Sequence, residues 1–257
     1  MSNGDNYLWM ESGIYLSTIA IIMLFVRIRV VYDSIQKSRN NCCGARSDKN
    51  AKGEITASRK RPVSMAVVLG SGGHTSEMLS IIDKIDHSKY DPIIYIVART
   101  DSTSERRLNK SHTKKSSLVY YIPRSREVGQ SYFTSIFTTL WSFVYVFIIT
   151  FRIKPSVLVC NGPGTCIPVV LNVLILRVLG LCDGKVIFVE SIARVQRYES
   201  SSHVDFDCVN TLRVSYILSK SLSMSGHILY YIVDRFIVYW KELKEKYPRV
   251  ELMTGNG

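Results

Sequence analysis

Short apolar runs alternate with longer segments of mixed polarity from residue 63 onward. Six runs rich in β-branched residues predict strands, at residues 65–69, 92–98, 117–122, 156–160, 185–189 and 236–240. These runs are continuous instead of alternating, which indicates strands that are buried on both faces of a parallel sheet. Helix-length segments between them supply the crossover connections that parallel strands need. The pattern predicts an α/β fold over residues 63–257, a Rossmann-like domain with a doubly wound parallel sheet.

An uncharged apolar stretch at residues 13–26 predicts a membrane anchor near the amino terminus. It is short for a bilayer span, which needs about 20 helical residues. Apolar residues on both sides extend it, while Arg27 and Arg29 can reach back to the headgroups. The alternative is a cleaved signal peptide, but the basic residues follow the apolar run and no small-residue cleavage site ends it. We therefore predict one uncleaved transmembrane helix within residues 1–32.

Basic residues dominate the next segment. Between residues 27 and 62, ten basic residues face three acidic ones, so this stretch holds +7 of the net charge of +12. Basic segments can bind nucleic acid, but here no aromatic residue beyond Tyr32 interleaves the basic ones and the segment follows an apolar run. This favours a basic linker at residues 33–62 that faces anionic lipid on the cytosolic side, with no nucleic-acid partner.

A second uncharged stretch, at residues 131–151, lies between the third and fourth predicted strands. Its length alone predicts a second membrane span. A span would separate two strands that belong to one sheet, so we favour a helix with one face on the sheet and the other in the bilayer surface. The apolar stretch at residues 169–181 is predicted to pack on the sheet.

Six cysteines show no metal-binding spacing, and those at 160, 166 and 182 sit in apolar runs. They are predicted to be buried, reduced thiols. The sequence indicates neither a metal site nor a cofactor.

Glycine-rich loops follow two of the predicted strands. The first, at residues 70–75, reads Gly-Ser-Gly-Gly-His-Thr and leads into a helix whose amino-terminal amides favour a phosphate. Thr75 stands where the dinucleotide fingerprint needs its third glycine, so a dinucleotide-dependent oxidoreductase is disfavoured. The Gly-Lys-Ser/Thr sequence of a P-loop is also absent. The second loop, at residues 161–165, reads Asn-Gly-Pro-Gly-Thr. At the carboxyl ends of parallel strands both loops would line one crevice, the alternative being two tight turns without a ligand.

His74 lies inside the first loop, where an imidazole can act as a general base or pair with a phosphate. The alternative is a structural histidine that hydrogen-bonds the loop.

These loops, together with Val189-Glu190-Ser191 and residues 234–238, resemble one family. It is the membrane-anchor subunit of the UDP-N-acetylglucosamine transferase that adds the second sugar to dolichol-diphosphate-linked N-acetylglucosamine. The resemblance covers about residues 63–250 and includes 128–131 and 243–248. The Gly-Gly-His loop is also similar to that of the bacterial transferase that glycosylates a lipid-linked peptidoglycan precursor.

The resemblance implies an inverting GT-B glycosyltransferase that is split between two polypeptides. This chain would supply the membrane anchor and the amino-terminal, acceptor-side lobe, and would not be active alone. A soluble catalytic subunit would bind UDP-GlcNAc. The other partners implied are the acceptor, dolichol-diphosphate-GlcNAc, and the lipids of the endoplasmic reticulum membrane or the contiguous nuclear envelope. The length of the chain agrees with such a split enzyme, because 257 residues suffice for only one of the two lobes of a GT-B enzyme. The alternative is a pure membrane receptor for a partner, without a catalytic contribution.

The family resemblance assigns roles to the loop residues. His74 and Glu190 are the candidate catalytic residues, and metal independence is usual for GT-B enzymes. The residues predicted to bind the acceptor diphosphate are Gly70, Ser71, Gly72, Gly73, Thr75, Asn161, Gly162, Gly164 and Thr165.

Two segments depart from the family pattern. Family members run from the equivalent of residues 193–195 almost directly into 221–226, whereas here residues 196–219 intervene. This polar, serine-rich segment predicts an insertion, either a surface loop or a mis-spliced segment. The chain also ends without the apolar tail by which the family docks its partner.

Overall fold

The computed structural model describes residues 3–44, 62–110, 117–123, 132–162, 164–191 and 221–253. Seven strands are present in these ranges: β1 Val63–Leu69, β2 Tyr90–Ala98, β3 Ser117–Ile122, β4 Val157–Asn161, β5 Lys185–Val189, β6 Arg235–Val238 and β7 Glu251–Leu252. The helices are α1 Asn3–Gly44, α2 Gly73–Ile82, α3 Ser102–Lys110, α4 Tyr132–Ile153, α5 Cys166–Val178, α6 Met224–Leu229 and α7 Lys241–Lys246. The predicted insertion at 196–219 lies outside the described residues.

The strands form one sheet in the order β3-β2-β1-β4-β5-β6-β7, and every neighbouring pair is parallel. The first six strands have the order of the doubly wound Rossmann fold, which reverses direction between β1 and β4. The predicted fold class is therefore confirmed. β7 was not predicted, because its two residues are too few to show a periodic pattern.

Helices cover both faces of the sheet, which explains the continuous apolar runs of the strands. Alternate residues of β1 enter two separate cores, with Ala66 and Val68 in one and Val67 in the other. α4 and α5 pack on the first face and α2 and α3 on the second. The central strands β1, β2 and β4 thus bury apolar side chains on both faces, as strands of parallel sheets generally do.

One face of α4 packs on the sheet, as predicted for the uncharged stretch at residues 131–151. Ser142, Val146, Ile149 and Thr150 point into the domain and are buried. The opposite face of the helix leaves large apolar side chains exposed.

α1 extends over 42 residues, from Asn3 to Gly44. Within the described parts of the chain, its segment Tyr15–Asn40 is the one helix long and apolar enough to cross a membrane. The boundary predicted at residue 32, between the anchor and a linker, falls inside this continuous helix. Residues 45–61 of the predicted linker lie outside the described residues.

The carboxyl-terminal turns of α1 dock on the domain. Arg39 is only 6% exposed, and its guanidinium donates to the carbonyl oxygen of Val233 from Nε at 3.0 Å and from Nη2 at 2.8 Å. Nearer the apolar segment, Lys185 Nζ lies 3.1 Å from Ser34 Oγ. The helix is therefore attached directly to the sheet domain by its own side chains.

A buried ionic cluster lies beside this contact. The Asp234 carboxylate accepts from Arg177 Nη1 at 2.7 Å, from Lys185 Nζ at 3.2 Å and from the amide of Val186 at 2.9 Å. Asp234 thereby joins α5, β5 and the residue before β6 in one network.

Candidate functional site

The two glycine-rich loops meet at the carboxyl edge of the sheet. β1 and β4 are adjacent, and Val68 is in register with Cys160, so the loop after each strand emerges beside the other. The strand order reverses at this point. Open parallel sheets form their ligand crevices there, because neighbouring crossover connections leave in opposite directions.

His74 and the second loop are in direct contact. His74 Nδ1 lies 3.1 Å from the side-chain oxygen of Asn161, which is fully buried. Gly162 has a φ of +90°, and a Cβ there would lie 2.5 Å from His74 Nδ1. Glycine at 162 thus permits both the backbone turn and the approach of the imidazole ring.

The hydrogen bond to Asn161 determines which ring nitrogen of His74 is basic. An amide oxygen only accepts, so in this arrangement Nδ1 carries the proton and Nε2 keeps its lone pair. The assignment follows from the orientation of the Asn161 amide. The Asn161 amide nitrogen is buried without a hydrogen-bond partner among the described residues. An imidazole held in this tautomer can accept a proton from a hydroxyl group.

Three glycines of the loops border open space. A Cβ built on Gly72, Gly73 or Gly164 meets no atom within 4 Å. α2 begins at Gly73, two residues earlier than the sequence predicted, so its free amino-terminal amides start beside this space. Open space next to unpaired amides is suited to an anion.

Arg107 was not among the predicted site residues. Its guanidinium, on α3, donates to the carbonyl oxygen of Gly72. The contact brings a permanent positive charge to the start of α2, where it adds to the positive potential of the helix amino terminus.

The Thr75 side chain stabilises the first loop through hydrogen bonds. Its fully buried hydroxyl bonds the carbonyl oxygen of Gly70 and the hydroxyl of Ser104. Ser104 in turn donates to Gly70 at 2.8 Å and to the Asp101 carboxylate. The Thr75 side chain therefore holds the loop in place, and a contribution to ligand binding would come from its main chain. Asp101 and Ser104 were also not predicted. Asp101 directly precedes α3 and accepts from the amide of Ser104 at 3.1 Å, as a typical N-cap residue does.

Glu190, the second predicted catalytic residue, follows β5 and is buried. Its Oε2 accepts from the amide of Ser223 at 3.3 Å and from the hydroxyl of Ser223 at 3.1 Å. Ser223 caps α6 by accepting from the amide of Gly226 at 2.8 Å. Glu190 thus fixes the start of α6 against the end of β5.

Glu77 links α2 to two more strands. Ser191 donates to its carboxylate at 2.9 Å. Burial raises the pKa of the Tyr239 hydroxyl, and the negative charge of the neighbouring Glu77 carboxylate raises it further. Tyr239 therefore stays protonated at neutral pH. Glu77 follows His74 by about one helical turn, so these contacts at the ends of β5 and β6 also restrain the helix that carries His74.

Three cysteines of the described residues lie in the protein interior. Cys160, Cys166 and Cys182 are buried free thiols, as predicted. A hydrogen bond with the Cys166 thiol, together with burial, raises the pKa of Cys160 well above its usual value. The Cys160 thiol is therefore protonated at neutral pH and is unsuited to nucleophilic chemistry.

Comparisons with known proteins are consistent among themselves. The sequence profile of the family described as "Oligosaccharide biosynthesis protein Alg14 like" matches residues 65–216 and 208–255. The UDP-N-acetylglucosamine transferase subunit ALG14 of Homo sapiens is 36% identical over 200 residues, which cover 74% of this chain and 81% of the relative. The protein of the same name from Candida albicans is 39% identical over 189 residues, which cover 73% of this chain and 75% of the relative.

A solved structure, that of MurG from Acinetobacter baumannii, superposes with a TM-score of 0.48 at 13% identity, covering 70% of this chain and 43% of the other. The family assignment rests on the sequence relatives. Because the profile spans most of the chain and the relatives match about three quarters of it, this chain belongs to the Alg14-like family of oligosaccharide biosynthesis proteins.

Proposed function

We propose that this chain is the membrane-anchoring, acceptor-binding subunit of a two-subunit UDP-N-acetylglucosamine transferase at the endoplasmic reticulum. The relatives carry the name of a subunit of that transferase. The observation that carries the proposal is the contact of His74 with Asn161 and Gly162, which brings both glycine loops to one crevice.

The acceptor is dolichol-diphosphate-GlcNAc. Its diphosphate lies over the open glycines of the two loops, at the start of α2. Unpaired amides and the Arg107 guanidinium supply the positive potential that two phosphates require. The donor, UDP-GlcNAc, is bound by a soluble partner subunit.

His74 acts as the general base. Its Nε2 takes the proton of the 4-hydroxyl of the acceptor sugar, and the oxygen forms a bond to the anomeric carbon of the donor sugar. UDP leaves from the opposite side with the electrons of the broken bond, so the configuration is inverted. Glu190, held by Ser223, positions α6 beside the crevice.

The alternative function is that of a receptor that recruits the partner to the membrane without taking part in the reaction. The docked anchor helix agrees with both functions. The two differ in what they require of His74, because a receptor does not need an imidazole in the crevice.

The test uses the full-length chain co-purified with its soluble partner and supplied with UDP-GlcNAc and a dolichol-diphosphate-GlcNAc acceptor. We expect His74→Ala to keep partner binding and to lower transfer by about 10²–10⁴-fold, the usual contribution of a general base. Ser80→Ala on the exposed side of α2 is the control and retains the wild-type rate.

His74→Lys separates two roles of the imidazole. Partial recovery of the rate would indicate pairing with phosphate, whereas no recovery at neutral pH agrees with proton abstraction. A His74→Ala complex that transfers at the wild-type rate would exclude the catalytic role and support the receptor. Absence of any transfer by the wild-type complex would contradict the proposed function itself.

A further inference from the structure

The anchor helix is attached at the end of the sheet that lies opposite to the site. Ser34 contacts Lys185, the first residue of β5, and Arg39 bonds Val233, which precedes β6. The Arg27 guanidinium lies against Gly180, in the connection that leads from α5 into β5. All three contacts are at the amino-terminal ends of the strands, whereas the glycine loops follow the carboxyl ends.

The length of the strands separates these two ends. β1 has seven residues, which span about 23 Å at roughly 3.3 Å per residue. If the strands stood upright on the membrane, the loops would lie about that far above the point where α1 leaves the bilayer. An acceptor whose lipid stays in the membrane presents its phosphates at headgroup depth. The anchor by itself therefore does not bring the site to such an acceptor.

α4 runs back along the sheet between these ends. Its 22 residues span about 33 Å at 1.5 Å per residue, and as a crossover helix it leads from the carboxyl edge of the sheet to the start of β4. Its outer face is an apolar stripe at three- and four-residue spacing, with exposed fractions between 42% and 69%. The stripe consists of Phe137, Leu140, Trp141, Val144, Ile148 and Phe151. No charged residue occurs from 131 to 151.

The apolar stripe continues into the surface around the anchor. α5 packs against both α1 and α4. Leu179 and Leu181 are exposed on either side of Gly180, the residue that Arg27 contacts. Cys182 then donates to the carbonyl oxygen of Pro155, just beyond the end of α4, at 3.3 Å. The exposed Leu179 and Leu181 therefore lie in a connection that contacts α1 through Gly180 and the end of α4 through Cys182.

Basic side chains occur where this surface ends. Arg152 and Lys154 follow the stripe and are exposed, and Lys154 Nζ lies 4.8 Å from the centre of the Phe151 ring. Arg27 occupies the corresponding position on α1. Cations beside apolar residues are suited to the boundary between acyl chains and anionic headgroups.

We propose that the apolar stripe of α4 lies in the headgroup and upper acyl region of the bilayer that α1 crosses, so that the sheet rests along the membrane. In this orientation the carboxyl ends of β1 and β4, with both glycine loops, are held at the depth of lipid-linked phosphates. The occupant of the stripe is lipid. The effect of this orientation on acceptor binding rests on the proposed function, whereas the contact of the stripe with lipid does not.

Trp141, in the middle of the stripe, reports the contact directly. The chain has three tryptophans, so Trp9→Phe and Trp240→Phe leave Trp141 as the only one. In full-length chain reconstituted into phosphatidylcholine–phosphatidylserine vesicles, we expect lipids brominated on the acyl chain to quench its fluorescence. The matched control adds Trp141→Phe and Ser80→Trp, which moves the tryptophan to the exposed side of α2 on the other face of the sheet. This control is expected to be quenched only by aqueous acrylamide.

Two results would overturn the proposal. One is equal quenching of the two tryptophans by brominated lipid. The other is a Trp141 that is open to acrylamide in vesicles and becomes protected only when the soluble partner is added, which would make the stripe a protein interface.

A second measurement addresses the acceptor. In the purified two-subunit complex, Val144→Glu with Ile148→Glu is expected to lower transfer to an acceptor embedded in vesicles by about tenfold or more, because charged side chains leave the apolar region. Transfer to a water-soluble, short-chain analogue stays unchanged. Val144→Ala with Ile148→Ala is the control for packing and keeps both rates.

The outcomes separate the two proposals. An equal loss with both acceptors, or no loss with either, contradicts the orientation of the sheet on the membrane. A wild-type complex that uses neither acceptor contradicts the proposed function, while the quenching of Trp141 still reports the lipid contact.

Discussion

At the scale of single residues, the site depends on small groups that allow close approach. Gly162 combines a φ of +90° with the His74 ring stacked over it, so it is required for two separate reasons. At Thr75, by contrast, a side chain is needed. It stands where the dinucleotide fingerprint has a glycine, and its hydroxyl hydrogen-bonds to Gly70 and Ser104.

Gly162→Ala is therefore expected to destabilise the domain by about 1–3 kcal/mol, the usual cost of a strained backbone conformation. The Cβ also displaces the His74 ring, so transfer falls as well. Gly164→Ala, in the same loop, adds a Cβ that meets nothing within 4 Å and is the control for stability. Thermal unfolding of the detergent-purified variants measures the difference. Equal unfolding midpoints for the two variants would show that the close contact between the loops is absent.

At the scale of elements, α1 packs on the sheet domain and also contains the segment that is apolar enough to cross a membrane. In its carboxyl-terminal half, Ser34 and Arg39 hydrogen-bond to the sheet domain, and Ile35 is buried. The receiving surface is organised by Asp234, which connects α5 and β5 through Arg177, Lys185 and the amide of Val186. These contacts fix the position of α1 relative to the sheet.

Asp234→Ala is expected to lower the free energy of unfolding by about 3–5 kcal/mol, because it leaves the buried Arg177 without its counter-charge. It also frees Lys185 and so loosens the contact with Ser34. Glu251→Gln removes the charge from the more exposed pair with Arg235 and is the control, with an expected cost of at most about 1 kcal/mol. Denaturant unfolding of both variants provides the comparison. A loss for Asp234→Ala no greater than that of the control would mean that the cluster does not hold these elements together.

At the scale of the whole molecule, charge predicts the orientation in the membrane. The net +7 between residues 27 and 62 follows the apolar segment of α1, and basic flanks stay on the cytosolic side. The sheet domain comes after these residues, so we expect it to face the cytosol.

We expect protease added to sealed microsomes to digest residues 63–257, and an epitope placed before Tyr7 to be protected until detergent is added. Asn109-Lys110-Ser111 is a glycosylation sequon that a cytosolic domain leaves unmodified, so Asn109→Gln should not change the electrophoretic mobility. A domain that is protected, or a wild-type chain that gains a glycan at Asn109, would reverse the topology.

The strands and the meeting of the two glycine loops could be predicted from the sequence because both depend on local patterns. Strands buried on both faces must be apolar throughout, so five of the six predicted strands end within a residue of the observed ones. The sixth, predicted at 236–240, ends two residues earlier at Val238. Glycines and His74 after adjacent strands indicated the crevice, since the carboxyl ends of parallel strands lie at one edge.

Tertiary structure alone decided which polar groups are paired. Ser34 and Arg39 belong to a basic, polar stretch of sequence, yet their partners lie 151 and 194 residues away and attach them to the sheet domain. Thr75 was predicted to bind the acceptor diphosphate and Glu190 to be catalytic. Both side chains bond protein groups that are distant in the sequence. The spacing of apolar residues reports how a segment is buried. The role of a buried polar side chain depends on which distant donor or acceptor the fold brings to it.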